Sequence, residues 1–158
     1  MKRNIIMLSA VVSVIFMITC AKEGHDHGDV QRSEVGNTKI VTTGGIQAAF
    51  DLMDRAHHEG MMKKMNTPVE TEAEFSDYLL LTLMKKPENT LIKDAVVSFS
   101  IKGPGNSVVT KKGHIMTGMG MHHYAAGFNM KAKGSYTVTA EINLSGKVVT
   151  VDTVFEKK

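Results

Sequence analysis

An all-β fold is the class that this 158-residue sequence predicts: an immunoglobulin-like antiparallel sandwich of about six or seven strands, preceded by one amphipathic helix. Apolar and polar residues alternate with a period of two through most of the C-terminal half, as half-buried strands require. Turn residues separate these runs at short intervals, which is typical of antiparallel sandwiches. One earlier segment has the period of a helix instead.

The N-terminal segment has the features of a secretory signal. A basic start precedes an apolar stretch over 5–18, which is shorter than the roughly 20 apolar residues of a membrane-spanning helix. The stretch leads to Cys20, the only cysteine of the chain. Ile-Thr-Cys-Ala around it resembles the lipobox of bacterial lipoproteins, in which the cysteine receives a diacylglycerol and becomes the first residue. We therefore predict a signal peptide over 1–19 and membrane attachment through Cys20, and Ala21 favours the outer membrane of the envelope.

The remaining chain divides into three predicted parts. Residues 20–45 are polar and lack a sustained period, which predicts a flexible tether. Residues 46–67 predict an amphipathic helix, which ends before Pro68 because proline disfavours helical geometry in the preceding residue. Residues 71–158 predict the sandwich domain. The runs that predict its strands cover 78–84, 95–102, 108–115, 121–128, 136–143 and 149–155.

Composition and motifs exclude several classes of function. Loss of the two basic residues of the signal lowers the formal net charge of +3 by two, so no nucleic-acid partner is expected. Acylation of Cys20 leaves no free thiol, which excludes thiolate catalysis and a blue-copper centre. The chain has no nucleophile elbow, phosphate-binding loop or dinucleotide fingerprint. In the segment 58–62, Met62 stands where a zincin motif needs its second histidine, so we predict that the protein is not an enzyme.

Methionine and histidine carry the main functional signal, since the chain has twelve Met and seven His but no Trp. The densest group of candidate metal ligands is His114, Met116, Met119, Met121, His122 and His123. Thioether sulfur favours Cu(I), whereas imidazole accepts Cu(I), Cu(II) and Zn(II). Strand alternation places Met121 and His123 on one face and His122 with Tyr124 on the other, so only one of the adjacent histidines is expected in a given site.

The predicted helix supplies a second group. At helical spacing, one stripe contains Ile46, Phe50, Met53, His57, Met61 and Met65. Such a stripe can dock the helix on the sandwich or carry ligands, with Met53, His57, Met61 and Met65 at successive four-residue spacings. Both interpretations hold if the helix lies over the Met119 loop, and the pairs 57–58 and 122–123 then form two halves of one site. The tether adds the run 25–27 (His-Asp-His), which is either a weak capture arm for Cu(II) or Zn(II) or incidental.

A family resemblance supports the metal-binding interpretation. The stretch 116–128, followed by 133–138, resembles the Met-rich loop and subsequent Gly-x-Tyr strand of the YtkA-like and CopC-like envelope domains. The resemblance implies an immunoglobulin-like sandwich that binds copper and either holds it or passes it on, with donor and acceptor proteins of the envelope as candidate partners. A periplasmic iron-uptake family also builds a Met/His copper site on such a sandwich.

We therefore predict a membrane-anchored envelope protein that binds copper, most readily Cu(I), and chaperones or sequesters it through the Met/His cluster. Two alternatives remain open. The protein could be an accessory of iron uptake. It could also be a lipid-anchored structural or interaction module without metal, in which the methionines only fill the core.

Overall fold

The computed structural model describes residues 30–35, 37–64, 75–118 and 120–158, so the predicted signal peptide over 1–19 and the anchor residue Cys20 lie outside the described residues. Over the described ranges the chain forms two antiparallel sheets and one short helix. This architecture confirms the predicted all-β sandwich.

The first sheet has seven strands within the described residues. Their bounds are β1 Gln31–Val35, β2 Thr38–Thr43, β3 Ile46–Asp54, β4 Asp77–Lys85, β5 Thr90–Leu91, β8 His114–Gly118 and β9 Met121–Phe128. The strand order is β1-β2-β3-β4-β9-β8, with β5 paired to β4. The second sheet contains β6 Val96–Lys102, β7 Val108–Lys112, β10 Gly134–Leu144 and β11 Lys147–Lys157. Its order is β11-β10-β6-β7.

The main core lies between the inner faces of the two sheets. Phe50, Leu81 and Tyr124 contribute from the first sheet, and Phe99 and Val138 contribute from the second. All five side chains are buried, whereas their neighbours along each strand point away from this core, as a period of two requires. The outer face of the first sheet is therefore a separate surface.

The segment predicted as a helix over 46–67 begins as a strand, so that prediction is wrong over 46–54. The turn Gly44-Gly45 has positive φ angles of 54° and 76°, which suit a two-residue hairpin loop between β2 and β3. Ile46 and Phe50 are buried in the main core. Residues four apart share a face in a helix and also in a strand, which explains why the spacing was ambiguous.

The helix α1 covers Arg55–Lys64 and is inserted between β3 and β4 instead of preceding the sandwich. Asp54 caps its first turn, because the Asp54 carboxylate accepts a 2.7 Å hydrogen bond from the backbone N–H of His57. The residues that α1 buries are His58 and Met62, not the predicted stripe. No helix within the described ranges is long and apolar enough to cross a membrane.

The predicted tether over 20–45 is wrong from Gln31 onward. The strands β1 and β2 pair with each other, and β2 pairs with β3, so this segment belongs to the first sheet. The sandwich therefore begins well before residue 71. The polar composition of β1 and β2 hid their pairing, because one face of an edge hairpin is exposed and only Val41 is buried within the described part of the two strands.

The predicted strand over 108–115 is two strands that belong to different sheets. It divides at Gly113, where β7 ends in the second sheet and β8 begins in the first. The Gly113 N–H donates to the Val97 carbonyl at 2.8 Å. A Cβ atom at Gly113 would lie 2.9 Å from the Phe99 ring, so the close approach of the crossing chain requires glycine. This division, together with β1, β2, β3 and β5, which no predicted strand covered, raises the described strand number above the predicted six or seven.

Candidate metal site

The outer face of the first sheet carries a second apolar cluster beneath α1. Its buried members are Phe75, Tyr78, Leu80 and Ala125, with Met53 and Met116 packed against them. The ring of His58 stacks on Tyr78 with 3.8 Å between centroids. Met62, one turn later on the same helix face, is also buried. The side of α1 that carries His57 and Met61 is consequently left to face a neighbouring cavity.

This cavity has a volume of about 400 Å³ and lies between α1, β3, β8 and β9. Its potential soft ligands are Met53, His57, Met61, Met116, Met121 and His123. The remaining lining residues are Asn37, Asp51, Leu52, Asp54, Leu80, Thr117 and Gly118. Four thioethers and two imidazoles from separate parts of the chain therefore line one cavity.

The pairing of β8 with β9 places the strand half of this set. Met116 lies directly opposite His123, and Gly118 lies opposite Met121. Directly opposite residues share a face of a sheet, and residues two apart on a strand share it as well. Met116, Met121 and His123 therefore lie on the outer face, as the alternation of Met121 and His123 in the sequence predicted.

His123 is half-buried, and its ring contacts a side chain of β4. Its Nδ1 atom lies 2.8 Å from the Thr82 hydroxyl oxygen, which leaves Nε2 as the second ring nitrogen. Burial lowers the pKa of His123, the Asp51 carboxylate opposes this shift, and the neighbouring His122 adds to it. The lowered pKa favours the neutral imidazole, which is the form that coordinates a metal ion.

The helix supplies two more members of the set, and β3 supplies Met53. His57 is exposed and Met61 is half-buried, and their spacing of four places them on one face of α1. Both line the cavity together with Asp54, the residue that caps the helix. The structure thus brings one histidine of each predicted pair, His57 and His123, to a single cavity.

Two of the predicted site residues do not line this cavity. The Nε2 atom of His114 lies 2.5 Å from the Tyr78 hydroxyl oxygen. His122 points to the inner face, where its ring meets Tyr124 edge-on with 5.2 Å between centroids. His122 is only 7% exposed, and its Nε2 atom has no hydrogen-bond partner within the described part of the chain. The predicted residues Met65 and Met119 lie outside the described residues.

Two residues around the cavity, Asp51 and Thr82, were not among the candidates that the sequence offered. Met53 appeared in the helical stripe only, whereas β3 places it on the outer face with Asp51. Asp51 also lines the cavity, and its carboxylate accepts a 2.5 Å hydrogen bond from the Thr38 hydroxyl. Thr82 contacts His123 from β4. Assignment of 46–54 as a strand would have revealed the shared face of Asp51 and Met53, but no local signal identifies Thr82.

The donor set determines which metal ions the cavity suits. Within the described ranges, no group of three or more His, Cys, Asp or Glu side chains is placed to hold a metal ion. A site of imidazoles and carboxylates alone, which would suit zinc, is therefore not formed by these residues. The cavity can offer a complete coordination shell only when thioethers take part, and thioethers select soft ions such as Cu(I).

The burial of His122 predicts a pH dependence of stability. Burial and, to a smaller degree, the charge of Lys93 lower the pKa of His122. In the unfolded chain, His122 protonates near the ordinary histidine pKa of about 6.5. Below that pH the unfolded state therefore binds more protons than the folded state. The free energy of unfolding should therefore fall as the pH drops below about 6.5, and His122→Phe should weaken this dependence. Urea unfolding on both sides of that pH measures it, and an identical pH dependence in the variant would refute this role of His122.

Comparison with known proteins shows the fold of this chain. No protein-family model matches the sequence, and no curated protein matches it. A DUF4426 family protein from Pseudomonas aeruginosa superposes with a TM-score of 0.60 at 12% identity, covering 78% of this chain and 97% of its own. A copper-bound variant of FetP from uropathogenic Escherichia coli has a TM-score of 0.58 at 16% identity, with coverage of 76% and 94%. A copper-bound variant of P19 from Campylobacter jejuni has a TM-score of 0.54 at 13% identity, with coverage of 83% and 94%. At these identities the likeness is one of fold, and this chain shares the β-sandwich of these proteins.

Proposed function

We propose that the protein binds copper, preferentially Cu(I), in the cavity between α1, β3, β8 and β9. The observation that carries this proposal is the convergence of four thioethers and two imidazoles on one cavity. Cu(I) accepts three or four soft ligands without a demanding geometry, and thioethers carry no proton that competes with the metal. The ligands come from both faces of the cavity, so the ion would be held between the helix and the sheet.

Two further observations support copper. A variant of FetP and a variant of P19, both similar in fold, are described with copper bound. In this chain the neutral form of His123 is favoured by burial, which keeps an imidazole available without the cost of removing a proton. A packing role alone would not require an imidazole and three methionines to converge from β8, β9 and α1.

We further propose a location and partners for the protein. Lipid attachment at Cys20 would hold the domain at the envelope membrane, the outer one being favoured. The protein would receive copper from a donor and hold it or pass it to an acceptor, without catalysing a reaction and without a nucleic-acid partner. Individually weak ligands suit this role, because an incoming ligand can replace them one at a time.

Metal selectivity tests the proposed function. The purified protein is titrated with Cu(I) in the presence of a chromogenic chelator, and the titration is repeated with Zn(II). We expect one or more Cu(I) ions to be withheld from the chelator in stoichiometric amounts and Zn(II) to bind much more weakly, since the described cavity lacks a zinc-type ligand group. Failure to compete for Cu(I) would refute the proposal, and preference for Zn(II) would refute its chemical basis.

A further inference from the structure

A hydroxyl group that lies outside the cavity contacts the ring of His123. Thr82 lies on β4, and its Oγ1 atom is 2.8 Å from Nδ1 of His123. His123 lines the cavity, whereas Thr82 does not. The hydroxyl therefore engages one nitrogen of the ring while the ring itself forms part of the cavity wall. The contact joins residues that are 41 positions apart, so the pairing of β4 with β9 creates it.

We infer that Thr82 is a positioning residue for the metal site: its hydroxyl oxygen accepts a hydrogen bond from Nδ1–H of His123, which favours the tautomer that presents the Nε2 lone pair to the metal ion. A neutral imidazole carries one N–H, and a nitrogen that bears the proton cannot coordinate. When Nδ1–H donates to the Thr82 oxygen, Nε2 is left unprotonated. The metal-binding part of this inference rests on the copper function proposed above.

The chemistry of threonine suits this task. A β-branched side chain in a strand has few χ1 rotamers, so the hydroxyl position is restricted before any metal binds. The backbones on both sides are fixed as well, because β4 and β9 pair up to Leu81 and Tyr124, each one residue away from the contact. A ligand that is oriented in advance loses little freedom when the ion arrives.

A second histidine on the same face shows the opposite arrangement. The hydroxyl of Tyr78, also on β4, lies against Nε2 of His114, and His114 does not line the cavity. Hydroxyls from one strand thus contact Nδ1 of the histidine in the cavity wall and Nε2 of the histidine outside it. The two histidines therefore differ in the ring nitrogen that contacts a hydroxyl group of β4.

The variants Thr82→Val and Thr82→Ser test the inference. Valine keeps the branched shape and removes the hydroxyl, whereas serine keeps the hydroxyl. In the metal-free wild type, long-range proton–nitrogen NMR of the imidazole should show the His123 proton on Nδ1, and Thr82→Val should give a mixture of tautomers. The affinity for Cu(I) should fall by roughly 10- to 100-fold in Thr82→Val, the usual range for loss of such a partner. Thr82→Ser should recover most of that affinity.

The control is Thr110→Val, which removes a hydroxyl that bonds Ser100 on the second sheet and should leave both measurements unchanged. A His123 proton found on Nε2 in the metal-free wild type would overturn the inference whether or not copper binds. Equal Cu(I) affinities of wild type and Thr82→Val would overturn it as well. Absence of Cu(I) binding by the wild type refutes the proposed function instead, and this outcome is visible before any Thr82 variant is made.

Discussion

Replacing Met116 and Met121 together by leucine should lower the affinity for Cu(I) by roughly 100-fold or more, because even a lost outer-shell partner commonly costs 10- to 100-fold. Both thioethers lie on the outer face of the β8–β9 pair beside His123. Leucine has nearly the same volume, so the apolar packing should survive the exchange at a cost of less than about 1.5 kcal/mol per site. Competition with a chromogenic Cu(I) chelator measures the affinity.

The matched control is Met84→Leu. Met84 is a half-buried methionine of β4 that does not line the cavity, so its replacement should leave Cu(I) affinity unchanged. Thermal unfolding of the metal-free proteins checks that both variants fold. If Met116→Leu/Met121→Leu binds Cu(I) as tightly as Met84→Leu, the thioethers of β8 and β9 are packing groups and the cavity is not the copper site.

The same titration on His57→Ala/Met61→Leu tests whether the side chains of the helix bind the Cu(I) ion. These side chains lie on the face of α1 that lines the cavity, one turn apart. A loss comparable with that of the strand variant would show that the ion is held between helix and sheet. Unchanged affinity would restrict the site to the sheet and contradict the proposed two-sided arrangement.

Much of the fold could be predicted from the sequence where a period of two is unambiguous. The runs over 95–102 and 136–143 contain β6 and the centre of β10, and alternation placed Met121 and His123 on the face opposite His122 and Tyr124. These predictions needed local information only, because the direction of a side chain on a strand follows from its position along that strand.

The assignment of 46–54 failed for a physical reason. Ile46 and Phe50 are four apart, which satisfies both a helix and a strand, and the Gly44-Gly45 turn that fixes the choice pairs the segment with β2. The stripe that seemed continuous is divided between two surfaces: Ile46 and Phe50 enter the main core, whereas Met53 lines the cavity.

The composition of the site was only partly predictable, because long-range hydroxyl contacts decide it. His114 and His123 looked equivalent as candidate ligands in the sequence. In the structure Tyr78, 36 residues away, lies against Nε2 of His114, and Thr82, 41 residues away, lies against Nδ1 of His123. No spacing within the Met/His cluster contains that distinction. The ligand roles of the cavity residues stay predictions until the titrations are done.

Breaking the ion pair between the half-buried Lys157 and the buried Asp77 should cause the largest loss of stability. The Lys157 ammonium donates to the Asp77 carboxylate and so joins the end of β11 in the second sheet to the start of β4 in the first. The side chains are 29% and 3% exposed. Lys157→Met keeps most of the unbranched apolar side chain but leaves the carboxylate buried without its cation, which should lower the free energy of unfolding by about 3 kcal/mol.

The carboxylate also accepts a hydrogen bond from the Ser76 hydroxyl at 2.6 Å, so Asp77 keeps one partner in the variant. Arg32→Met is the matched control, because Arg32 pairs with Asp152 between the same two sheets but both side chains are more than half exposed. An exposed pair contributes less than about 1 kcal/mol. Urea unfolding compares the two variants, and Lys157→Met/Asp77→Leu should recover most of the lost stability, because it removes the unpaired charge. Equal small losses in Lys157→Met and Arg32→Met would mean that water reaches Asp77 readily, and the link between the sheets at the start of β4 would then contribute no more than a surface contact.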